Sequence, residues 1–141
     1  MEPKTFDDIF AVNMTANYRL IRSMDTLLRE SPAGRAVFMT SGVATSRRAY
    51  WGAYAASKAA LEAFVQCYAK EVAITDIKVN LLNPGAARTA MRAKAVPGED
   101  PDVLPKPADV APLLTHMLSP DFDKHDAIMA YRDTPYYQKP S

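Results

Sequence analysis

The sequence predicts an α/β fold in which parallel strands are joined by crossover helices. Ala36-Val37-Phe38-Met39 is a short unbroken apolar run, and Ile77-Lys78-Val79-Asn80-Leu81-Leu82 is a second run of strand-like composition. Between them an alanine-rich stretch over roughly 51–74 has its larger apolar residues at helical spacing. Strand–helix–strand at this spacing implies a parallel pair with a right-handed crossover. Polar turn clusters, Thr40-Ser41-Gly42 and Asn83-Pro84-Gly85, stop both runs.

Taken in order, Thr5 with Asp8 three residues on resembles a capping box. Phe6, Ile9, Phe10, Leu20, Ile21, Met24, Leu27 and Leu28 then mark one long helix over roughly 5–30, closed by Ser31-Pro32-Ala33-Gly34. Asn13 and Asn17 interrupt its apolar stripe. A buried amide needs a hydrogen bond, and the expectation from pattern alone is local backbone bonding. On the helix over 51–74, Tyr54, Lys58, Leu61, Val65 and Val72 share one stripe, expected to pack on a sheet. Ala56, Ala60, Ala63 and Cys67 make a narrow second stripe of small residues that admits another helix; Cys67 is expected in the core. Residues 86–105 read as a long loop with a helical turn at Thr89–Ala95. Pro107 opens a third helix to about Ser119, Ile128–Tyr131 is a candidate last strand, and the tail from Thr134 reads as irregular.

At 141 residues the chain is one domain at most, or part of one. With 48% hydrophobic and 23% charged residues it has the composition of a soluble globular protein. A net charge of +1 gives no reason to expect a nucleic-acid or acidic-membrane partner. The single Cys67 permits no intrachain disulfide and fits a reducing compartment. No signal-peptide pattern or membrane-length apolar run is present, so the expected location is the cytoplasm. His116 and His125 are isolated from other ligand types, so no metal site is expected.

The chemistry concentrates at Tyr54-Ala55-Ala56-Ser57-Lys58, with Ser41 thirteen positions before Tyr54. Four residues apart on a helix, Tyr54 and Lys58 share one face. A fixed ammonium beside a phenol favours the phenolate, which makes a tyrosine usable in proton transfer. Ligands in open parallel sheets bind beyond the carboxyl ends of strands. Ser41 follows the first strand, Asn83-Pro84-Gly85 follows the second, and Tyr54 and Lys58 begin the helix between them, so all converge on one edge. Arg47 and Arg48, in the intervening loop, are expected to be solvated; the sharper alternative is a contact to a substrate carboxylate or phosphate, shared with Arg92. Tyr50 and Trp51 are either pocket walls or packing at the helix start.

Ser41, Tyr54 and Lys58 at this spacing, Val12-Asn13 upstream, and Val79-Asn80-Leu81-Leu82-Asn83-Pro84-Gly85 followed by Thr89 resemble the short-chain dehydrogenase/reductase family. The resemblance covers about residues 5–120, leaving 121–141 as an unassigned tail. Arg88-Thr89-Ala90-Met91-Arg92 is similar to a bacterial subgroup of poorly defined substrate. It implies a Rossmann-like doubly wound parallel sheet, represented by its last three strands and flanking helices. The implied cofactor is NAD or NADP, and the implied substrate a small carbonyl or alcohol. Tyr54 would be the general acid or base, Lys58 would hold the nicotinamide ribose and favour the Tyr54 phenolate, and Ser41 would bond the substrate oxygen. Asn13 would hold a water linking Lys58 to solvent; Pro84, Gly85 and Thr89 would cradle the nicotinamide end of the cofactor. The resemblance also implies a homo-oligomer, dimer or tetramer, in the full-length form.

The five glycines, at 34, 42, 52, 85 and 98, compose no glycine-rich phosphate loop. The expectation is therefore that residues 1–141 are the C-terminal part of a single NAD(P)-binding domain, with Met1 internal to a longer protein. Such a piece is expected to be inactive by itself and to leave its first strand as an exposed apolar edge. Two other readings stand beside the oxidoreductase: a non-catalytic interaction module that retains the site residues, and an epimerase or dehydratase of the family's extended branch. The compact Asn-Pro-Gly-x-x-x-Thr loop and short C-terminal region disfavour the latter.

Overall fold

A long helix with a change of winding in its middle opens the chain. In the computed structural model, which describes residues 1–139, α1 (Pro3–Phe10) runs through a π-turn (Ala11–Thr15) into α2 (Ala16–Glu30). The expected start at Thr5 is corrected: Glu2 is the cap and Pro3 lies in the first turn. The Thr5 N–H donates to the Glu2 carbonyl at 3.0 Å. Proline suits that position because its missing N–H would have had no partner there. Asn17 Nδ2 donates to the Asn13 carbonyl at 2.8 Å, so Asn17 bonds local backbone as expected. The side chain of Asn13 does not.

Three parallel strands follow in the order β1-β2-β3. They are β1 (Arg35–Met39), β2 (Lys78–Asn83) and β3 (Ala127–Ala130), each within a residue of the expected bounds. Alternation along β2 builds a core on each face of the sheet. Val79 and Leu81 pack with Leu61, Val65, Val72 and Ile21, contributed by α4 (Gly52–Glu71), its end, and α2. Leu82 packs on the opposite side with Val110, Leu113 and Met117 of α6 (Pro107–Met117), and with Phe122 and Tyr131. Leu61 and Val65 are each 1% exposed; burial of each stabilises the fold by roughly 1.5–3 kcal/mol. Central β2 is thus covered twice, whereas β1 is an edge whose residues are half-buried or exposed.

The turn into β1 requires glycine. A Cβ on Gly34 would lie 2.6 Å from the Leu28 carbonyl oxygen, inside van der Waals contact with rigid backbone. After residue 120 the expected last strand forms as β3 and joins the sheet, and Tyr136 and Tyr137 of the tail pack on the second core. Asn80, 1% exposed, organises that junction. Its Nδ2 donates to the Lys124 carbonyl at 2.8 Å, and its Oδ1 accepts from the Ala127 N–H at 3.1 Å. His125 does the same from the other side: Nδ1 accepts from the Val79 N–H at 3.1 Å, and Nε2 lies 2.9 Å from the Ala69 carbonyl, to which it donates in that tautomer. The last two positions of the tail, 140 and 141, lie outside the described residues.

One packing expectation is overturned. Ala56, Ala63 and Cys67 are exposed and Ala60 only half-buried, so Cys67 is not a core residue. This part of α4 is turned away from both the sheet and α2, whose own Leu20, Met24 and Leu27 are also exposed.

Candidate active site

The loops that leave β1 and β2 at their carboxyl ends lie side by side. A Cβ on Gly42 would be 3.3 Å from the side-chain nitrogen of Asn83. The Thr40 N–H extends the ladder by donating to the Leu82 carbonyl at 2.8 Å, and Thr40 Oγ1 donates to Glu62 Oε1 on α4 at 2.6 Å. Ser41 follows immediately. Its Oγ accepts a long bond, 3.4 Å, from the Val43 N–H in the short α3 (Val43–Ser46).

Lys58 is fastened to the same strand end. Its Nζ donates to the Met39 carbonyl at 2.9 Å and lies 5.9 Å from the centroid of the Tyr54 ring. Lys58 is buried, and burial holds its ammonium below the ordinary lysine value. Among the described residues it has no carboxylate partner. An ammonium has three donors, so the bond to Met39 leaves two. A buried cation with unused donors at the mouth of a sheet is costly to stability and useful for binding.

Tyr54 is half-buried on the first turns of α4. Trp51 caps that helix and packs edge-on against the Tyr54 ring at 5.9 Å, with the Arg48 guanidinium 5.6 Å from the Trp51 ring centroid. The sequence missed what holds this turn. Ser57, with no exposed surface, donates from Oγ to the Tyr54 carbonyl at 2.9 Å and accepts from Asn13 Nδ2 at 3.0 Å. Asn13 therefore reaches the site through Ser57. The available signal was a hydroxyl next to Lys58 on the buried side of an alanine-rich helix.

Beyond β2, Asn83 Oδ1 accepts from the Gly85 N–H at 3.0 Å, and Gly85 takes φ +73°, a left-handed conformation suited to glycine. Nothing lies within 4 Å of where its Cβ would be, so the backbone there faces open space. Thr89 caps α5 (Ala90–Ala95), its Oγ1 accepting from the Arg92 N–H at 3.1 Å. A cavity of about 350 Å³ is lined by Arg88, Thr89, Arg92, Val96 and Glu99, and one of about 300 Å³ by Ala44, Arg47, Arg48 and Ala55. Neither is lined by Tyr54 or Lys58. The structure thus gathers Ser41, Tyr54 and Lys58 at one strand end, with Asn13 behind them and Pro84-Gly85 at the next. Among the described residues no hydrogen bond joins Ser41 to Tyr54, or Gly85 and Thr89 to either Tyr54 or Lys58. Nor is there any group of three residues of metal-ligating type, or a helix long and apolar enough to cross a membrane.

Comparison with known proteins decides the family. The model of the short chain dehydrogenase family matches residues 1–100. The chain belongs to that family. It is 44% identical over 119 residues to the uncharacterized oxidoreductase YciK of Escherichia coli (strain K12), covering 84% of this chain and 47% of that protein. It is 35% identical over 107 residues to an NADPH-dependent aldehyde reductase-like chloroplastic protein of Arabidopsis thaliana, covering 76% of this chain and 38% of that one. Its fold superposes with a TM-score of 0.86, at 40% identity, on a short chain dehydrogenase structure from Shigella flexneri 2a str. 301 complexed with NADP. That match covers 92% of this chain and 54% of the other. The short-chain dehydrogenase chain described here spans about half the length, or less, of the relatives it matches.

The site residues fit the nicotinamide end of such a cofactor. Lys58 offers two unused donors for vicinal hydroxyls, and the open backbone at Gly85 permits a planar ring to approach closely.

Proposed function

We propose that the intact protein is an NAD(P)-dependent oxidoreductase acting on a carbonyl/alcohol pair, with Ser41, Tyr54 and Lys58 as its proton-handling site. The observation that carries this reading is Lys58, a buried ammonium without a carboxylate, held by the Met39 carbonyl beside the Tyr54 ring. Structural lysines seldom accept burial on those terms. When bound, the cofactor supplies or accepts the hydride.

In this reading the Tyr54 hydroxyl gives a proton to the substrate oxygen during reduction and takes one during oxidation. Lys58 binds the ribose hydroxyls with its two free N–H donors. The Ser41 hydroxyl donates to the substrate oxygen and stabilises the charge that develops there. Asn13, through Ser57, keeps the Tyr54 turn in place, and following the family pattern it also holds a water that leads from Lys58 to solvent. Pro84, Gly85 and Thr89 receive the nicotinamide. A second copy of the protein is the proposed partner for the exposed faces of α2 and α4.

Two substitutions in the intact protein separate these roles. Lys58→Met is expected to weaken NADPH or NADH binding at least about tenfold, because it removes donors to the cofactor itself. Ser41→Ala is expected to lower kcat roughly 10²-fold while leaving cofactor affinity within about twofold. Equal effects of the two on cofactor affinity would contradict the assignment.

A further inference from the structure

The segment between β2 and α6 ends up far more ordered than a loop of its length needs to be. Its ends are tied by the Arg88 N–H donating to the Pro105 carbonyl at 2.8 Å, and by Arg88 Nη2 lying 3.0 Å from Asp102 Oδ1. Inside that closure Arg92 donates twice to Glu99, from Nε to Oε2 at 2.6 Å and from Nη2 to Oε1 at 2.7 Å. The pair is shielded on both sides, with side-chain exposures of 20% and 25%. A two-pronged guanidinium–carboxylate pair fixes orientation as well as distance.

What this pair holds is α5. Six residues are too few for a helix to persist by its own hydrogen bonds, and none of its residues is buried. It is held instead at both ends of one turn. The Arg92 N–H binds the Thr89 hydroxyl oxygen, while the Arg92 side chain binds Glu99. Accepting that bond uses a lone pair of Thr89 Oγ1 and leaves its O–H free to donate. The direction of the Thr89 hydroxyl is therefore coupled, through a single residue, to the ion pair.

We infer that Arg92 and Glu99 form a positioning clasp for Thr89, holding its hydroxyl ready for the carboxamide of a nicotinamide cofactor. Neither Arg92 nor Glu99 touches the cofactor or the reacting atoms in this scheme; both act through α5. The inference rests on the proposed role of Thr89, and the test separates the two.

NADPH affinity is measured by fluorescence titration of the intact protein carrying Glu99→Gln, Thr89→Ala, or both, alongside amide hydrogen exchange over residues 88–104. Glu99→Gln is expected to weaken NADPH binding about 5–10-fold and to speed exchange in α5, with kcat at saturating cofactor changed less than about threefold. In the Thr89→Ala background the same change is expected to have no further effect, because the residue through which it acts is gone. Unchanged affinity in Glu99→Gln overturns the clasp, as do losses that multiply in the double variant. Thr89→Ala with wild-type affinity overturns instead the reading of Thr89 as a cofactor residue, and the clasp with it. Glu99→Asp, which keeps the charge, is expected to recover part of the loss; no recovery counts against the pair as the cause.

Discussion

Replacing Ser57 by alanine tests whether the π-turn and the Tyr54 turn are one unit. The substitution deletes two bonds of a fully buried hydroxyl, one from Asn13 Nδ2 and one to the Tyr54 carbonyl. A neutral hydrogen bond contributes about 1 kcal/mol net, and an orphaned buried donor adds part of its desolvation cost. Asn13 is half-buried, so water recovers some of that cost. The expected loss is about 1–2 kcal/mol. In urea unfolding of the intact protein the midpoint should fall while the slope stays constant. Asn13→Ala alone is expected to cost about 1 kcal/mol, and the double variant no more than Ser57→Ala, giving a coupling near 1 kcal/mol. Turnover should fall in each variant with NADPH affinity largely kept, since neither side chain is proposed to bind cofactor. Additivity of the two losses within about 0.3 kcal/mol would refute the bridge.

Three further outcomes are expected. Gly34→Ala should destabilise by about 1–3 kcal/mol, read from the urea midpoint, because its methyl would press on the Leu28 carbonyl. His125→Leu should cost about 2 kcal/mol in the same assay, since it leaves the buried Val79 N–H without its acceptor. Tyr68→Phe, which removes a 2.8 Å bond to Asp25 Oδ1, should cost about 1 kcal/mol at neutral pH. Arg29 first, and then Tyr68, hold the Asp25 carboxyl below the ordinary carboxylate value against the opposing effect of burial. A lowered carboxyl stabilises the fold above its unfolded value and loses that contribution as pH falls through the folded one. The Tyr68→Phe penalty should therefore shrink in acid, below about pH 4. A penalty that grows there would show that the pairing has been misread.

What the sequence revealed follows the strength of each local signal. The strands at β1 and β2 were legible because burial or edge packing leaves apolar runs bounded by Gly, Pro and Asn. Their carboxyl ends, and with them the placement of Ser41, Tyr54 and Lys58, followed from the crossover rule. The π-turn was not legible: Asn13 and Asn17 read as two interruptions of one stripe, whereas one side chain bonds local backbone and the other crosses to Ser57. Cys67 was misplaced because small residues permit close packing without requiring it, and no element among the described residues covers that face. Thr5 lost its role to Pro3 and Glu2, which start the same helix two and three residues earlier. β3 was legible as an apolar run, but the bonds that recruit it were not, because they come from Asn80 and His125, separated from each other by the whole of α5 and α6. The Arg92–Glu99 pair spans seven residues of apparent loop, a spacing to which no periodic pattern points.

Tyr54 carries the central claim, and a single-turnover measurement reaches it directly. NADPH is first titrated into the intact wild-type protein and into Tyr54→Phe, and bound cofactor is then challenged with a panel of aldehydes and ketones. The account expects both proteins to bind NADPH alike, and only the wild type to oxidise it, with the variant slowed by at least about 10³-fold. Oxidation at wild-type rate by Tyr54→Phe would contradict the account, because some other group would then be supplying the proton.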